Sequence, residues 1–316
     1  MLDIVILSNS SKKDVIKSLN SIFYQFINVK INVYIVDYNK KIDYTNIVND
    51  YSNIIDIFEL KCDEEINIGK AKQYALTRSK GKYIMFINSG DVFSFPYAIN
   101  LMIEKIKNEN SDMIYSNYYI KFKDGYVYIE DDKYTLNAKI YRREFLIKNK
   151  IKFNYLTANF SFSLNKLIEL FNAKITFFDK NVFIVKDKNI LSSKSGRYEL
   201  DYFGLYLKDI LFIIDYFYSK KLKIDNKKLS EILLTCIYFS YLYYLKNQKN
   251  IEKKNIKKIY DLYLHNSLST KEKNEIIIKC LDKVEILELI VNADVSFSEF
   301  LKIWSDSSDR HNNTCI

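Results

Sequence analysis

Over its first 110 or so residues the chain alternates short β-branched runs with stretches of helical periodicity, and that alternation restricts its fold more than any other feature. Leu2 to Leu7 is an apolar run stopped by Ser8, Asn9, Ser10 and Ser11, which are turn and capping residues. The helical pattern that follows places Val15, Ile16, Leu19, Ile22 and Phe23 on one face. Ile31 to Val36 is a second strand that stops at Asp37, and Ile54 to Leu60 is a third. Asn67 to Ser79 reads as a helix and Tyr83 to Ile87 as a fourth strand. Pro96 sits where a first-turn proline would, opening a helix through about Asn108. Strands this uniformly apolar, separated by helices, fit a mostly parallel sheet covered on both faces.

The pattern loosens further on. Met113 to Ile129 reads as a hairpin turning at Lys123, Asp124 and Gly125, and Ile140 to Lys148 as a strand or a helix start. Phe160 to Phe171 looks helical, and Lys174 to Phe178 and Val182 to Lys186 are two short strands. A polar stretch, Asp187 to Arg197, then breaks the pattern, and from Tyr198 the periodicity is helical throughout. The expected organisation is an α/β domain over residues 1–197 and an all-α domain over 198–316.

Composition removes several classes. With 48% hydrophobic residues the chain is no disordered segment, and four scattered cysteines without a CxxC pair suggest neither a disulfide framework nor a zinc site. Two histidines make His-based metal sites and Ser-His-Asp triads hard to build. Of the +9 formal charge, residues 1–200 carry 30 basic against 23 acidic side chains, hence +7, which could favour an anionic ligand. Nucleic acid is the obvious alternative, but no long basic run and no binding motif is present, so no nucleic-acid partner is expected. The start of the chain does not read as a signal peptide, and Ile232 to Leu245 is too short to span a bilayer. The expected location is cytoplasmic, with peripheral attachment to the inner face of a membrane left open.

The glycines are more informative. There are 6 in the chain, and three of them are Gly69, Gly81 and Gly90. Gly69 would let a helix N-terminus approach a ligand or a strand, and Gly81 makes the turn into the fourth strand. Gly90 and Asp91 fall just past that strand's carboxyl end, where open α/β sheets bind ligands.

The segments Asn67-Ile68-Gly69, Lys72-Gln73 and Gly81-Lys82-Tyr83-Ile84-Met85-Phe86-Ile87-Asn88-Ser89-Gly90-Asp91 resemble the motifs of the family 2 glycosyltransferases, as does Ile35-Val36-Asp37. The resemblance covers about residues 2–197 and implies a GT-A fold, a Rossmann-like mixed and mostly parallel sheet. It implies a metal-dependent enzyme, inverting at the sugar carbon, that moves a sugar from a nucleotide-diphosphate donor to a glycan, lipid-linked or protein acceptor. By position it assigns donor binding to Ser8, Asp37, Tyr38, Asn67, Gly69, Lys72, Asn88, Ser89 and Asp91, with Asp91 also holding manganese or magnesium.

Departures from the family pattern are specific. Tyr38 replaces the second acid of the V-D-D element, Gly90 replaces one acid of the metal motif, and Ser8 and Ser10 replace the usual proline and tyrosine after strand one. At the catalytic base the family's E-D pair becomes Ala158-Asn159, and an amide takes no proton at neutral pH. Asp179, Glu130, Asp131 and Asp132 are substitute candidates. A more nucleophilic acceptor, or a degenerate chain serving as a non-catalytic partner or scaffold beside a homologous subunit, stands as the alternative. The cations of the stretch after the last strand, Lys186, Lys188, Lys194 and Arg197, belong either to a lid over the diphosphate or to a solvated linker. The helical tail is expected to handle the acceptor.

Overall fold

The computed structural model describes residues 1–8, 11–39, 42–62, 64–132, 135–157, 161–186, 203–220, 222, 225–246, 253–264, 268–280, 293 and 295–305. The chain falls into two compact units, Met1–Gly196 and Arg197–Ile316.

The first unit is built on a nine-stranded mixed sheet. Its strands are β1 (Leu2–Ser8), β2 (Ile31–Asp37), β3 (Asp56–Lys61), β4 (Tyr83–Asn88), β5 (Val92–Phe93), β6 (Met113–Phe122), β7 (Gly125–Ile129), β8 (Lys139–Arg142) and β9 (Ile175–Lys186). They lie in the order β3-β2-β1-β4-β8-β6-β9-β5, with β7 paired to β6. β3, β2, β1 and β4 are mutually parallel, as are β6 and β9, while β8 runs antiparallel to both β4 and β6. All seven residues of β1 are buried, as a central parallel strand with both faces covered demands.

Alternation along the strands separates two layers. Leu2, Ile4 and Ile6 join Val33, Ile35, Met85 and Ile87 in one core with Val15, Leu19 and Ile22 of α1 (Lys12–Phe23) and Ile99, Met102, Ile103 and Ile106 of α4 (Ala98–Asn108). On the opposite face Phe86 meets Phe153 edge-on at 5.2 Å. The helices α2 (Thr45–Tyr51), α3 (Ile68–Arg78), α5 (Arg143–Lys148) and α6 (Phe162–Leu170) also belong to this unit.

Several elements depart from the sequence reading. Pro96 precedes α4 rather than opening it, because its carbonyl accepts Phe26 N–H at 2.8 Å and Tyr97 becomes the cap residue. Ile140 to Lys148 is both things considered: β8 runs straight into α5. The two short strands after α6 are one, β9, whose pairing with β6 shifts register around Asn117.

The described helices of the second unit are α7 (Phe203–Ser219), α8 (Asn226–Lys246), α9 (Lys253–Leu264), α10 (Thr270–Cys280) and α11 (Phe297–Ser305). α8 is apolar around most of its circumference and packs against the other four, the behaviour of a central helix. Its apolar residues are therefore packed inside this unit. Two capping boxes start helices here: Ser269 with Glu272, and Ser296 with Glu299, each exchanging backbone N–H bonds with the other's side chain. Among the described residues no helix is long and apolar enough to cross a membrane.

Candidate active site

Register gathers the predicted residues. β1 pairs with β2 so that Ser8 stands opposite Asp37, and with β4 so that Leu7 stands opposite Asn88. Ser8, Asp37 and Asn88 thus end three adjacent parallel strands on one edge. Strand order reverses between β2 and β4 on either side of β1, which opens a crevice at the carboxyl ends.

Each residue is held by local chemistry. Asp37 is buried, and its carboxylate accepts the N–H groups of Asn39 at 3.2 Å and Ile42 at 2.8 Å, shaping the loop after β2. Ser8 Oγ lies 2.6 Å from the buried hydroxyl of Tyr44. Tyr38 bonds through its backbone to Ser8 O and Ile66 N–H; burial and the Asp37 charge push its phenol up to about 12. Asn67 caps α3, its side chain accepting Lys70 N–H at 2.9 Å. Gly69 is packed against backbone: an added Cβ would lie 2.9 Å from Asn154 O and from Tyr155 Cα. The close approach left open in the sequence is therefore to the 154–155 segment. Lys72 is buried, with Nζ 3.4 Å from Ser161 Oγ and 5.8 Å from the centre of the Phe153 ring.

The turn after β4 is pinned from two sides. Ser18 of α1 donates to Asp91 O at 2.8 Å and accepts Gly90 N–H at 2.9 Å. Ser89 N–H reaches Leu7 O at 3.0 Å. Asp91 is 1% exposed, and its carboxylate accepts Asn88 N–H and Lys186 N–H, each at 2.9 Å. Gly90 has φ +100°, and a Cβ on it would lie 2.7 Å from Lys186 Cδ and 3.3 Å from Asp14 Oδ1. Lys186 Nζ in turn pairs with Asp14 at 2.5 Å.

These residues do not fit a protein-built divalent metal centre. The single motif carboxylate is committed to closing its own turn, the place of its companion acid is filled by the stem of Lys186, and Asp14 is neutralised by that lysine. Among the described residues no group of three or more His, Cys, Asp or Glu could hold a metal ion.

Asn159 and Ala158, at the family's base position, lie outside the described residues, as do residues 187–197. The substitute carboxylates sit elsewhere on the edge. Asp132 is buried and accepts the hydroxyls of Tyr118 and Thr135, both at 2.5 Å, which fixes the loop before β8. Asp131, at φ +49°, accepts the Tyr115 hydroxyl at 2.6 Å and is exposed, as is Glu130. Asn117 bridges two acids, donating to Asp179 at 3.2 Å and accepting Asp131 N–H at 3.2 Å. Met85, Ile140 and Ile114 form one row across β4, β8 and β6. Three residues further along lie Asn88 on β4 and Asn117 on β6, so the Asn117 cluster stands level with the β4 end, two strand spacings or about 10 Å away.

Sequence reasoning missed Asp14, Ser18 and Lys139. Lys139 is fully buried, donating to Asp132 O at 2.5 Å and Asn137 O at 3.3 Å, and burial pulls its pKa down. Nothing in Lys139-Ile140-Tyr141-Arg142 marks that lysine as the inward one.

A Rossmann-like sheet with a glycine turn after its fourth strand, backed by a buried carboxylate, is the architecture of the GT-A glycosyltransferases. The profile of glycosyl transferase family 2 matches residues 3–171, and the chain belongs to that family of enzymes. Among curated protein sequences none matches it. Its structure is similar to crystal structures of S. aureus TarS. For residues 1–349 of TarS in complex with UDP-GlcNAc the TM-score is 0.64 at 16% identity, covering 98% of this chain and 92% of that one. For the same fragment with UDP the values are 0.58, 14%, 98% and 91%. For a longer TarS chain they are 0.61, 15%, 90% and 53%.

Proposed function

We propose that residues 1–196 hold a nucleoside-diphosphate sugar at the carboxyl ends of β1, β2 and β4 and transfer its sugar to a hydroxyl acceptor. The observation that carries this reading is the strand register that sets Ser8, Asp37 and Asn88 side by side at the reversal of strand order. Tyr38, Asn67, Gly69, Lys72, Ser89 and Asp91 surround the same edge, some by contact with donor and others by shaping its loops. The UDP-GlcNAc and UDP complexes of TarS support UDP-sugars as the first donors to try.

In the transfer, the acceptor oxygen bonds to the anomeric carbon while the bond from that carbon to the diphosphate oxygen breaks. The electron pair leaves with the diphosphate, and the acceptor's proton passes to a base. A single displacement of this kind inverts the sugar carbon. Asp131 and Asp179 are the acids we assign to the acceptor side, being exposed and level with the β4 end. The acceptor is a glycan, lipid-linked glycan or protein, and the helical unit is its recognition module.

The test is calorimetry and product detection with a panel of UDP- and GDP-sugars and the full chain. Saturable binding of one nucleotide class, with slow release of its sugar, is expected. Absence of binding by every donor overturns the reading. Asp131→Asn and Asp179→Asn separate the two base candidates: the responsible one loses turnover and keeps donor affinity.

A further inference from the structure

Resting on the donor site proposed above, we infer that the counter-charge for the donor's diphosphate comes from a lysine cluster, Lys186 with Lys17 and Lys121, and not from a divalent cation. Three observations converge on the turn after β4. Gly90 offers a cation no side-chain ligand, and no side chain could be built there without displacing Lys186. Asp91 is sealed beneath the turn, with its carboxylate on the N–H groups of Asn88 and Lys186. Above it the ammonium of Lys186 pairs with Asp14 and its side chain stays 38% exposed, within reach of an incoming anion.

Two further lysines join it. The β6–β9 register sets Lys121 beside Lys186, and Lys17 follows Asp14 by three residues on α1, hence on the same helix face. Lys17 has its pKa lowered by partial burial and then by the charges of Lys121 and Lys186, with Asp14 and Asp91 acting against them. Three ammonium groups against two carboxylates leave this corner positive. A divalent cation would meet net repulsion there, whereas a diphosphate would relieve the mutual repulsion of the lysines. The leaving diphosphate gains charge as the sugar departs, and fixed cations at that place favour the departure. The carboxylates of a metal centre and the ammonium groups of this one are alternative solutions to the same charge. In this chain the residue that would supply the second carboxylate is glycine, and a lysine stem fills the space.

The test measures binding of UDP and of GDP to the full chain by calorimetry, once in EDTA and once in manganese, with manganese itself followed by its electron spin resonance. The expected result is that one nucleotide binds with a Kd in EDTA within about threefold of that in manganese. Without nucleotide, the chain leaves the spectrum of free manganese unchanged. Lys186→Gln and Lys17→Gln each weaken the diphosphate by about tenfold while the matching nucleoside monophosphate loses far less, and Lys186→Arg retains most of the affinity. Lys17 is exposed, so its variant tests the cluster even if Lys186→Gln perturbs folding. Binding that vanishes in EDTA and returns with manganese overturns the lysine assignment and leaves the donor site standing. Failure of both nucleotides under both conditions overturns the donor reading, and the lysine assignment with it.

Discussion

Gly90→Ala is the perturbation whose cost can be worked out most fully. At φ +100° an L-residue is outside its ordinary basins, which costs about 1–3 kcal/mol. The new methyl would also stand 2.7 Å from Lys186 Cδ and 3.3 Å from Asp14 Oδ1. The lysine stem is flexible and would swing away, but only by giving up its pairing with Asp14. That pair is partly exposed, so its loss adds no more than about 1 kcal/mol. The sum is about 1–4 kcal/mol from the first unit. Urea denaturation followed by circular dichroism reads it. In a Lys186→Ala background the same substitution should cost up to about 1 kcal/mol less, because the lysine stem is gone and the backbone strain and the contact with Asp14 remain. A loss below about 0.5 kcal/mol in the parent chain, or the same loss in both backgrounds, would refute the packing of Lys186 over this turn.

Three other outcomes follow from the same structure. Asp3, buried completely, accepts Lys80 N–H at 2.6 Å, Gly81 N–H at 2.5 Å and the Asn32 amide at 2.8 Å, so Asp3→Ala strands three donors and should cost about 3–5 kcal/mol by urea midpoint. A loss under about 1 kcal/mol would mean those donors find other partners. Ser18→Ala leaves the buried Gly90 N–H without the acceptor it has now and should cost about 1–3 kcal/mol, measured alongside faster hydrogen exchange at Gly90. At alkaline pH, the burial of Tyr44 and the partial burial of Tyr38 beside the Asp37 charge hold both phenols' protons to about 12, whereas in the unfolded chain they ionise near about 10. The folded state then binds more protons, so the stability these phenols supply below about pH 10 is lost as pH climbs to about 12. Tyr44→Phe should flatten that decline, and an unchanged slope across urea midpoints in that window would count against the burial.

The parallel half of the sheet was legible because β1, β2 and β4 are mostly apolar runs bounded by turn residues, and the residues that end those runs are the ones that meet at the edge. What escaped depends on pairing between distant segments. β5 is two residues long and exists only because Val92 and Phe93 find Ile184 and Phe183. α2 is only 7 residues long, so the apolar stripe of Ile47, Val48 and Tyr51 that packs on the core spans barely two turns and does not stand out in the sequence. β9 reads as two strands because Asp179, Lys180 and Asn181 look like a turn, yet the bulge opposite Asn117 absorbs them. Lys186 was legible as a cation near a possible lid. Its fold back over Gly90, 96 residues earlier, was not, since neither residue carries a local sign of the other. Lys72 stood where a nucleotide-facing cation belongs, and its burial toward Ser161 reflects the packing of the 151–157 segment across α3.

The scarcity of glycine bears on this in a particular way. Each of the three glycines between residues 69 and 90 is required by a contact within the chain: Gly69 by the backbone at 154–155, Gly81 by the carboxylate of Asp3, and Gly90 by its positive φ and the stem of Lys186. Gly69 and Gly90 lie where loops cross closely at the carboxyl ends of the strands, whereas Gly81 sits at the amino-terminal end of β4; in each case close crossing is what excludes a side chain. Glycine in this stretch therefore reports on loop packing first and on ligand approach only through it. A metal-binding acid at residue 90 would have to adopt the same backbone with a Cβ that displaces the Lys186 stem, so regaining a carboxylate there also moves the lysine away from Asp14. The charge and the packing of this corner change together, which is why substituting one residue alone should not convert a lysine-lined corner into a metal centre.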